Sequence, residues 1–147
     1  MNRLHRNVEY ALIALNHLAK NNSGYLLSAK DLSQHMNAPF DPLSRVMQKL
    51  AKCKLIQSEQ GPTGGYRLIC NFGEVSLYDL IKILQGPLEL VKCLSSDLNC
   101  DLSNQCELKS PVSYLNEKLI DFYRKMSLAE LFENSQSEIE RTGSVVL

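Results

Sequence analysis

The sequence predicts a mainly α-helical (α+β) fold in which three helices and a β-hairpin are followed by two more helices, the last of them long. Apolar residues recur every three or four positions before residue 53, which is typical of helices. Two β-type runs then flank the glycine-rich turn Gly61–Gly65, and an apolar seam with helical spacing follows Pro111. With 147 residues, 44% of them hydrophobic, the chain is long enough for one packed core.

Two helices open the chain. The first is predicted over residues 4–20, where an apolar stripe repeats at steps of three and four and ends before Asn21. A short second helix begins at Ser28, because Asp31 three residues later gives the pattern of a capping box. Residues 24–27 could add a short strand between the two helices.

A third helix is predicted from Asp41 to about Lys52. Asp41 is expected as the N-cap and Pro42 at the first helical position, where proline is favoured. Apolar residues occupy one face of this helix, while Arg45, Lys49 and Lys52 project from roughly the opposite face. A basic stripe of this kind favours contact with a polyanion, although most charged helix faces only contact solvent.

A β-hairpin follows, with strands predicted at Leu55–Glu59 and Tyr66–Ile69 and the turn Gly61–Gly65 between them. Three helices followed by a hairpin is the order of a winged helix-turn-helix, which predicts a DNA-binding domain over residues 1–73. The alternative is a generic small α+β domain whose basic face is merely solvated.

Charge is divided unevenly along the chain, although the formal net charge is zero. Residues 1–73 hold nine Lys or Arg against four Asp or Glu, whereas residues 74–147 hold seven against twelve. A basic half and an acidic half allow a polyanion such as double-stranded DNA to bind at one end only.

We expect the third helix to enter the major groove of DNA and the hairpin tip to approach the minor groove. Arg45 is the best candidate for reading a guanine, and the lysines that follow it would contact phosphates. Glycines at the hairpin tip let the backbone come close to the DNA. The predicted DNA contacts are Ser28, Lys30, Asp41, Ser44, Arg45, Lys49, Lys52, Lys54, Gly61, Thr63, Gly64, Gly65 and Arg67.

The C-terminal half, residues 74–134, is predicted to hold a linker helix, a cysteine loop and a dimerisation helix. Ser76 caps the linker helix Leu77–Gln85, and a Ser-Pro pair opens the dimerisation helix over residues 111–126. The seam of that helix, which has coiled-coil spacing, consists of Val112, Leu115, Leu119, Phe122 and Met126. The seam predicts a homodimer; the alternative is one broad face packed on the chain's own core. Residues 135–147 are expected to form a flexible tail.

Three of the five cysteines, Cys93, Cys100 and Cys106, lie in the polar loop at residues 93–106. An odd number of cysteines in a chain expected to be cytosolic argues against a disulfide framework. Structural zinc sites usually use pairs roughly two to four residues apart, and the gaps in this loop are wider. Three thiolates on one polar loop suit an iron–sulfur cluster, because a cluster is larger than a single ion.

Three cysteines leave one ligand of a four-iron cluster open. The fourth ligand could come from elsewhere in the chain, from a partner chain or from solvent, and Cys53 and Cys70 are the remaining sulfur candidates. Each of these two is more often a small buried hydrophobic residue. His5, His17 and His35 are expected to be surface or capping residues and not ligands.

The chain carries four notable segments: Arg3–Leu12, the hairpin Gly61–Leu68, the helix Val75–Ile81 and the triple-cysteine loop. Together they resemble the Rrf2 family of bacterial repressors, which includes the iron–sulfur regulator IscR, the nitric-oxide sensor NsrR and the iron regulator RirA. The likeness covers residues 1–134, and the combination of a Gly-Pro-x-Gly-Gly-Tyr hairpin with three clustered cysteines makes it specific.

The resemblance implies a winged-helix homodimer with a cluster at the dimer interface. In NsrR-like members the fourth ligand is an acidic residue of the partner's first helix, at the position of Glu9, which could equally be an ordinary exposed glutamate. In IscR the fourth ligand is a histidine whose position corresponds to Lys109, and no histidine follows Cys106. The resemblance therefore implies a 4Fe-4S cluster, rather than 2Fe-2S, held by Cys93, Cys100, Cys106 and the partner's Glu9.

These features predict a transcriptional regulator, most simply a repressor, that binds a pseudo-palindromic operator under the control of an iron–sulfur cluster sensing nitric oxide, redox state or iron. The alternative is a cluster-free winged-helix regulator that uses thiols or zinc. An enzyme is not expected, because no activated nucleophile, phosphate loop or pair of catalytic carboxylates is visible. No apolar run is long enough to span a membrane, so the chain is expected to be cytoplasmic.

Overall fold

The computed structural model describes residues 4–21, 25–91, 94 and 105–134. The elements in chain order are α1 (Arg6–Lys20), α2 (Ala29–Met36), α3 (Phe40–Lys52), β1 (Ile56–Glu59), β2 (Gly65–Leu68), α4 (Leu77–Gln85), α5 (Lys109–Lys125) and α6 (residues 128–134). The predicted α+β class and the order of helices and hairpin are confirmed. Within the described residues, no helix is both long and apolar enough to cross a membrane.

One apolar core joins the two halves of the chain. Leu15 of α1, Leu43 and Leu50 of α3 are fully buried at its centre. Leu80 of α4 and Leu128 of α6 belong to the same buried cluster, although both follow residue 73. The first three helices therefore depend on later elements for part of their packing.

Local sequence signals set the starts of α2 and α4. At both helices the N-cap serine accepts a hydrogen bond from the third residue's backbone N–H, and that residue's carboxylate accepts one from the serine's N–H. The pairs are Ser28 with Asp31 and Ser76 with Asp79, as predicted. Each pair satisfies backbone donors that the first helical turn leaves unpaired.

The predicted start of α3 is wrong by one to two residues. The N-cap is Pro39, whose carbonyl oxygen accepts a hydrogen bond from the Leu43 N–H at 3.3 Å, and the helix begins at Phe40. Asp41 and Pro42 are the second and third helical residues, a position Pro42 tolerates because first-turn N–H groups have no intrahelical acceptor. Asp41 still places its negative charge at the positive end of the helix dipole.

Strands β1 and β2 form an antiparallel hairpin in which Ile56 pairs with Leu68 and Glu59 with Gly65. Leu27 adds a single antiparallel bridge to Tyr66, which is all that the described residues show of the possible strand before α2. The hairpin turn requires glycine, since Gly61 has a φ of 117°.

Candidate DNA-binding surface and cysteine ligands

Helix α3 has the two faces that its sequence predicts. Its apolar residues Leu43, Val46, Met47 and Leu50 are all buried in the core. Arg45, Lys49 and Lys52 are exposed, together with Asp41 in the first turn, while Ser44 is partly exposed. The helix therefore has one buried apolar face and one exposed polar and basic face.

Lys49 has a partner within the chain that the sequence did not reveal. Its Nζ donates a hydrogen bond to the carbonyl oxygen of Leu84, at 3.3 Å, near the end of α4. The same face of α3 borders a cleft of about 520 Å³ that Asn7 of α1 and Arg45 also line. Lys49 thus ties the basic helix to α4, and its availability for a phosphate is reduced.

The tip of the hairpin is exposed, whereas Arg67 on its second strand interacts with residues of the first strand. Gly61 and Thr63 are exposed at the tip. Arg67 donates hydrogen bonds from Nε and Nη2 to the side-chain oxygen of Gln57, at 3.2 and 2.8 Å, and its guanidinium lies 3.6 Å from the carboxylate of Glu59. Arg67 is therefore held along β1 with its charge partly compensated.

Two glycines of the hairpin are needed because the backbone approaches closely. A Cβ built on Gly64 would collide with the carbonyl oxygen of Glu59. A Cβ on Gly65 would lie 2.7 Å from the carbonyl carbon of Leu27. These glycines shape the hairpin itself, which is a structural role apart from any approach to DNA.

At the start of α2, Ser28 and Lys30 differ in availability. The Ser28 hydroxyl donates to the Asp31 carboxylate at 2.6 Å and accepts from the Asp31 N–H at 3.1 Å. Hydrogen bonding from Ser28 also holds the pKa of the Asp31 carboxyl below its ordinary value. Lys30 is exposed, so it is the freer of the two for contact with a ligand.

The end of α4 joins three elements. Besides accepting from Lys49 at Leu84, this end accepts a hydrogen bond from the His5 N–H, at the start of α1, on the Gln85 side-chain oxygen at 3.2 Å. Gly86, with a φ of 90°, is the C-cap that ends the helix. Leu84 and Gln85 therefore link the end of α4 to α3 and to the start of α1.

Of the three loop cysteines, Cys93 and Cys100 lie outside the described residues. Cys106 is half-buried, and its carbonyl oxygen accepts a hydrogen bond from the Lys109 N–H, at 3.4 Å, where α5 begins. Glu9 is exposed on the first turn of α1. In the described ranges no group of three or more His, Cys, Asp or Glu side chains is placed to hold a metal.

The two remaining cysteines have different surroundings. Cys53 is exposed at the end of α3, so the expectation that it is a buried hydrophobic residue is wrong. Cys70 is half-buried, and burial raises the pKa of its thiol. A raised thiol pKa disfavours the thiolate, which is the form that binds metals.

Asn116 of α5 is a buried polar residue that the seam pattern did not reveal. It is the one buried polar residue among those described, and its Oδ1 accepts a hydrogen bond from the Leu90 N–H at 2.9 Å. Leu90 is three residues before Cys93. Cys106, the last residue of the cysteine loop, is itself hydrogen-bonded to Lys109 of the same helix, so described residues on either side of the loop contact α5. The sequence signal that could have indicated this contact is a single asparagine beside the apolar seam of the helix.

Helix α5 divides the predicted seam between two faces. Leu119 and Met126 of the seam pack on the chain's own core, together with Ile120 and Tyr123, which lie outside the predicted seam. Leu115 and Phe122 of the seam are 58% and 55% exposed, and Leu108, the N-cap of α5 seven residues before Leu115, is 67% exposed. The alternative of one broad face buried in the core is therefore wrong, since an apolar stripe remains uncovered on the other side of the helix.

Comparisons with known proteins agree with these features. A family model described as Rrf2, an iron-dependent transcriptional regulator, matches residues 4–134. The HTH-type transcriptional regulator NsrR of Halalkalibacterium halodurans is 31% identical over 130 residues, which are 86% of this chain and 87% of the relative. The HTH-type transcriptional regulator IscR of Cronobacter sakazakii is 24% identical over 134 residues, 91% of this chain and 82% of the relative.

Solved structures share the fold. CymR, the global cysteine regulator of B. subtilis, matches with a TM-score of 0.66 at 21% identity, covering 89% of this chain and 96% of that chain. T. potens IscR matches with a TM-score of 0.65 at 19% identity, covering 91% of this chain and 88% of that chain. At such identities the likeness establishes the winged-helix architecture and nothing finer.

Proposed function

Because the chain belongs to the Rrf2 family of transcriptional regulators, we propose that it is a homodimeric repressor whose binding to a pseudo-palindromic operator depends on an iron–sulfur cluster. The observation that supports the proposal is that the chain is hydrogen-bonded to α5 on both sides of the cysteine loop: Leu90, three residues before Cys93, donates to Asn116, and Cys106 accepts from Lys109. Gain or loss of the cluster at the cysteines would thus act on α5, the helix whose exposed apolar stripe is the proposed dimer contact.

The chemistry of the donor set fits such a cluster. Cys93, Cys100 and Cys106 supply three thiolates from one loop, and sulfur is the usual ligand of iron–sulfur clusters. Glu9 is the proposed fourth ligand, given by the partner subunit, and its exposure on α1 leaves it free for this role. A 4Fe-4S form suits one ligand per iron. When bound, the cluster supplies iron that reacts with nitric oxide or oxygen.

A carboxylate differs from a thiolate in how firmly it binds. It is a harder ligand and is more readily displaced from an iron–sulfur site. Glu9 would therefore leave one side of the site open to a small signalling molecule. This is the property that suits a sensor of nitric oxide, redox state or iron supply.

The proposed readers of DNA are on α3 and the hairpin. Arg45 is exposed and would pair with a guanine in the major groove, while Lys52 would contact a phosphate. Thr63 and the neighbouring glycines would approach the minor groove. Lys49 contributes mainly by fixing α3 to α4, since its Nζ is already hydrogen-bonded to Leu84.

The proposed dimer forms through the exposed stripe of α5. Leu108, Leu115 and Phe122 are large apolar side chains on one side of a helix, and pairing with a second copy would remove them from water. A twofold dimer presents two copies of α3, which must fit major grooves about 34 Å apart. A shift of a few ångströms in α5 or α4 therefore changes the fit to DNA.

The proposal is tested with protein purified without oxygen. We expect wild-type chain to be brown, to contain about four iron atoms with equal acid-labile sulfide per protomer, and to bind an operator selected from random DNA. Cys93→Ala should lose the colour, the iron and the tight binding. Cys53→Ala is the matched control, because Cys53 is exposed and outside the loop, and it should keep all three.

Contrary outcomes are equally clear. A colourless wild-type preparation that binds the operator with full affinity would reject control by a cluster. Zinc in place of iron and sulfide would favour the zinc-based alternative, and loss of binding on thiol oxidation alone would favour the thiol-based one. Glu9→Gln should weaken retention of iron, whereas Glu117→Gln on the exposed surface of α5 should not.

A further inference from the structure

A pair of histidines joins the ends of two helices, away from the cysteine loop. His17 is in the last turn of α1 and His35 in the last turn of α2. Their ring centroids are 4.9 Å apart with a tilt of 40°. The Nε2 atom of His17 lies 2.9 Å from the side-chain nitrogen of Asn21. Two imidazoles from different helices thus meet at one point of the surface.

The separation of the rings matches that of two imidazoles bound to one metal ion. With metal–nitrogen distances of about 2.0–2.1 Å and tetrahedral angles, the ring centroids of two bound histidines are roughly 5 Å apart. Only a neutral imidazole binds a metal, so protons compete for the site. The pKa of His17 is lowered, first by burial and then by the nearby His35 and Lys20, which favours its neutral form.

We propose that His17 and His35 chelate a divalent transition-metal ion, and that Zn²⁺ is a suitable one. Imidazole nitrogen is a preferred ligand of zinc, nickel and copper, and water can complete the coordination. Rotation of the Asn21 side chain would free Nε2 of His17 for the ion. The charged groups close to the pair are Lys20 on α1 and Asp31, one turn before His35 on α2.

This site is separate from the proposed cluster. Glu9 and His17 are eight residues apart on α1, which places them about 12 Å apart along the helix axis. The ion would clamp α1 against α2, and the gain in stability would follow its binding to the folded state alone. The inference therefore goes beyond the proposed function and does not depend on it.

The test follows the ring nitrogens of the three histidines by NMR in the full-length protein as Zn²⁺ is added. Because cysteines also bind zinc, the addition continues past the equivalents that the thiols take up. We expect the His17 and His35 signals to change together as one further ion per protomer binds, beyond the zinc that the thiols hold. The His5 signals should stay unchanged. No change at His17 and His35, or an equal change at His5, would overturn the proposal.

Variants separate chelation from structure. His35→Gln should raise the dissociation constant for Zn²⁺ at this site by at least about tenfold, so the His17 ring should respond only at correspondingly higher Zn²⁺ concentrations. His35 is exposed, so this variant should keep the helical circular dichroism of wild type. His5→Gln is the matched control. Zn²⁺ should raise the melting temperature of wild type and His5→Gln but not of His35→Gln; an equal rise in all three would contradict the clamp.

Discussion

Helices α3 and α5 carry similar apolar patterns but bury them differently. In α3 every apolar residue of the stripe, from Leu43 to Leu50, is buried within the chain. In α5 the stripe is divided, so that Leu119 packs on the core while Leu115 and Phe122 remain more than half exposed. Periodicity therefore indicates which face of a helix is apolar, but not which molecule covers it.

The comparison assigns different consequences to mutations in the two helices. A buried apolar residue of α3 should act on the folding of each protomer, because its neighbours lie within the chain. A residue on the outer stripe of α5 should act on association, because we propose that this exposed stripe forms the contact with a second chain.

The largest effect is expected in the core face of α3. Leu50→Ala should lower the free energy of unfolding by about 2–5 kcal/mol, because a fully buried side chain is lost and a cavity remains. Leu115→Ala, the matched change on α5, should cost the monomer less than about 0.5 kcal/mol. Urea denaturation at concentrations where the protein is monomeric compares the two. Equal losses would contradict the division.

On the outer stripe of α5, a charge should disrupt association. Leu115→Glu should weaken the proposed dimer by at least about 2 kcal/mol, or some thirtyfold in dissociation constant, because a carboxylate would be buried in the apolar contact. Sedimentation equilibrium measures this change. Glu117→Gln, away from the stripe, is the control. A dimer that survives Leu115→Glu unchanged would show that another surface forms the contact.

Asn116 should couple stability to the cysteine loop. Asn116→Ala leaves the Leu90 N–H without its acceptor, which should cost about 1–3 kcal/mol of unfolding free energy. We expect the variant to retain less iron as well, because the start of the loop loses its attachment. Unfolding and iron analysis on the same sample measure both. Normal iron content in a destabilised variant would show that iron retention does not depend on the hydrogen bond between Leu90 and Asn116.

For the basic face of α3, three single changes should give three signatures. Arg45→Ala should cost about 1–3 kcal/mol of operator binding and relax specificity at one base pair. Lys52→Ala should weaken binding to all sequences and reduce the salt slope by about one. Lys49→Met should leave the salt slope unchanged, because its Nζ is engaged by Leu84. Fluorescence anisotropy over a range of salt concentrations reads all three; a salt slope lowered by Lys49→Met would make Lys49 a phosphate contact.

The smallest effects are expected at the two capping boxes. Ser28→Ala and Ser76→Ala should each cost about 1 kcal/mol of unfolding free energy, since both serines cap a helix in the same way. Only Ser28→Ala should also lower operator affinity, if Ser28 contacts DNA. Thermal unfolding and anisotropy together separate the two roles. Equal operator affinity for both variants would confine Ser28 to capping.

The features that the sequence predicted correctly are mostly local. The capping boxes need only residues three apart, and the hairpin needs its glycines in one turn, so both could be read directly. The start of α3 at Phe40 was missed because Asp41 and Pro42 also fit a first turn at a different register. Local signals thus predict the presence of a helix or strand more accurately than its first residue.

The features that were missed depend on distant residues. Lys49 and its acceptor Leu84 are 35 residues apart, and Leu90 and Asn116 are 26 apart. The meeting of His17 with His35 likewise depends on how α1 packs beside α2. Spacing along the chain does not predict such contacts, because only tertiary packing brings these distant residues together.

We propose that the cysteine loop controls the affinity of α3 for operator DNA. One titration tests this most directly. Operator affinity is measured anaerobically on a single wild-type sample, before and after stoichiometric nitric oxide, while the cluster's absorbance is recorded. We predict that affinity falls by at least about tenfold, or 1.4 kcal/mol, in step with the loss of absorbance. Unchanged affinity after the absorbance has disappeared would contradict the account.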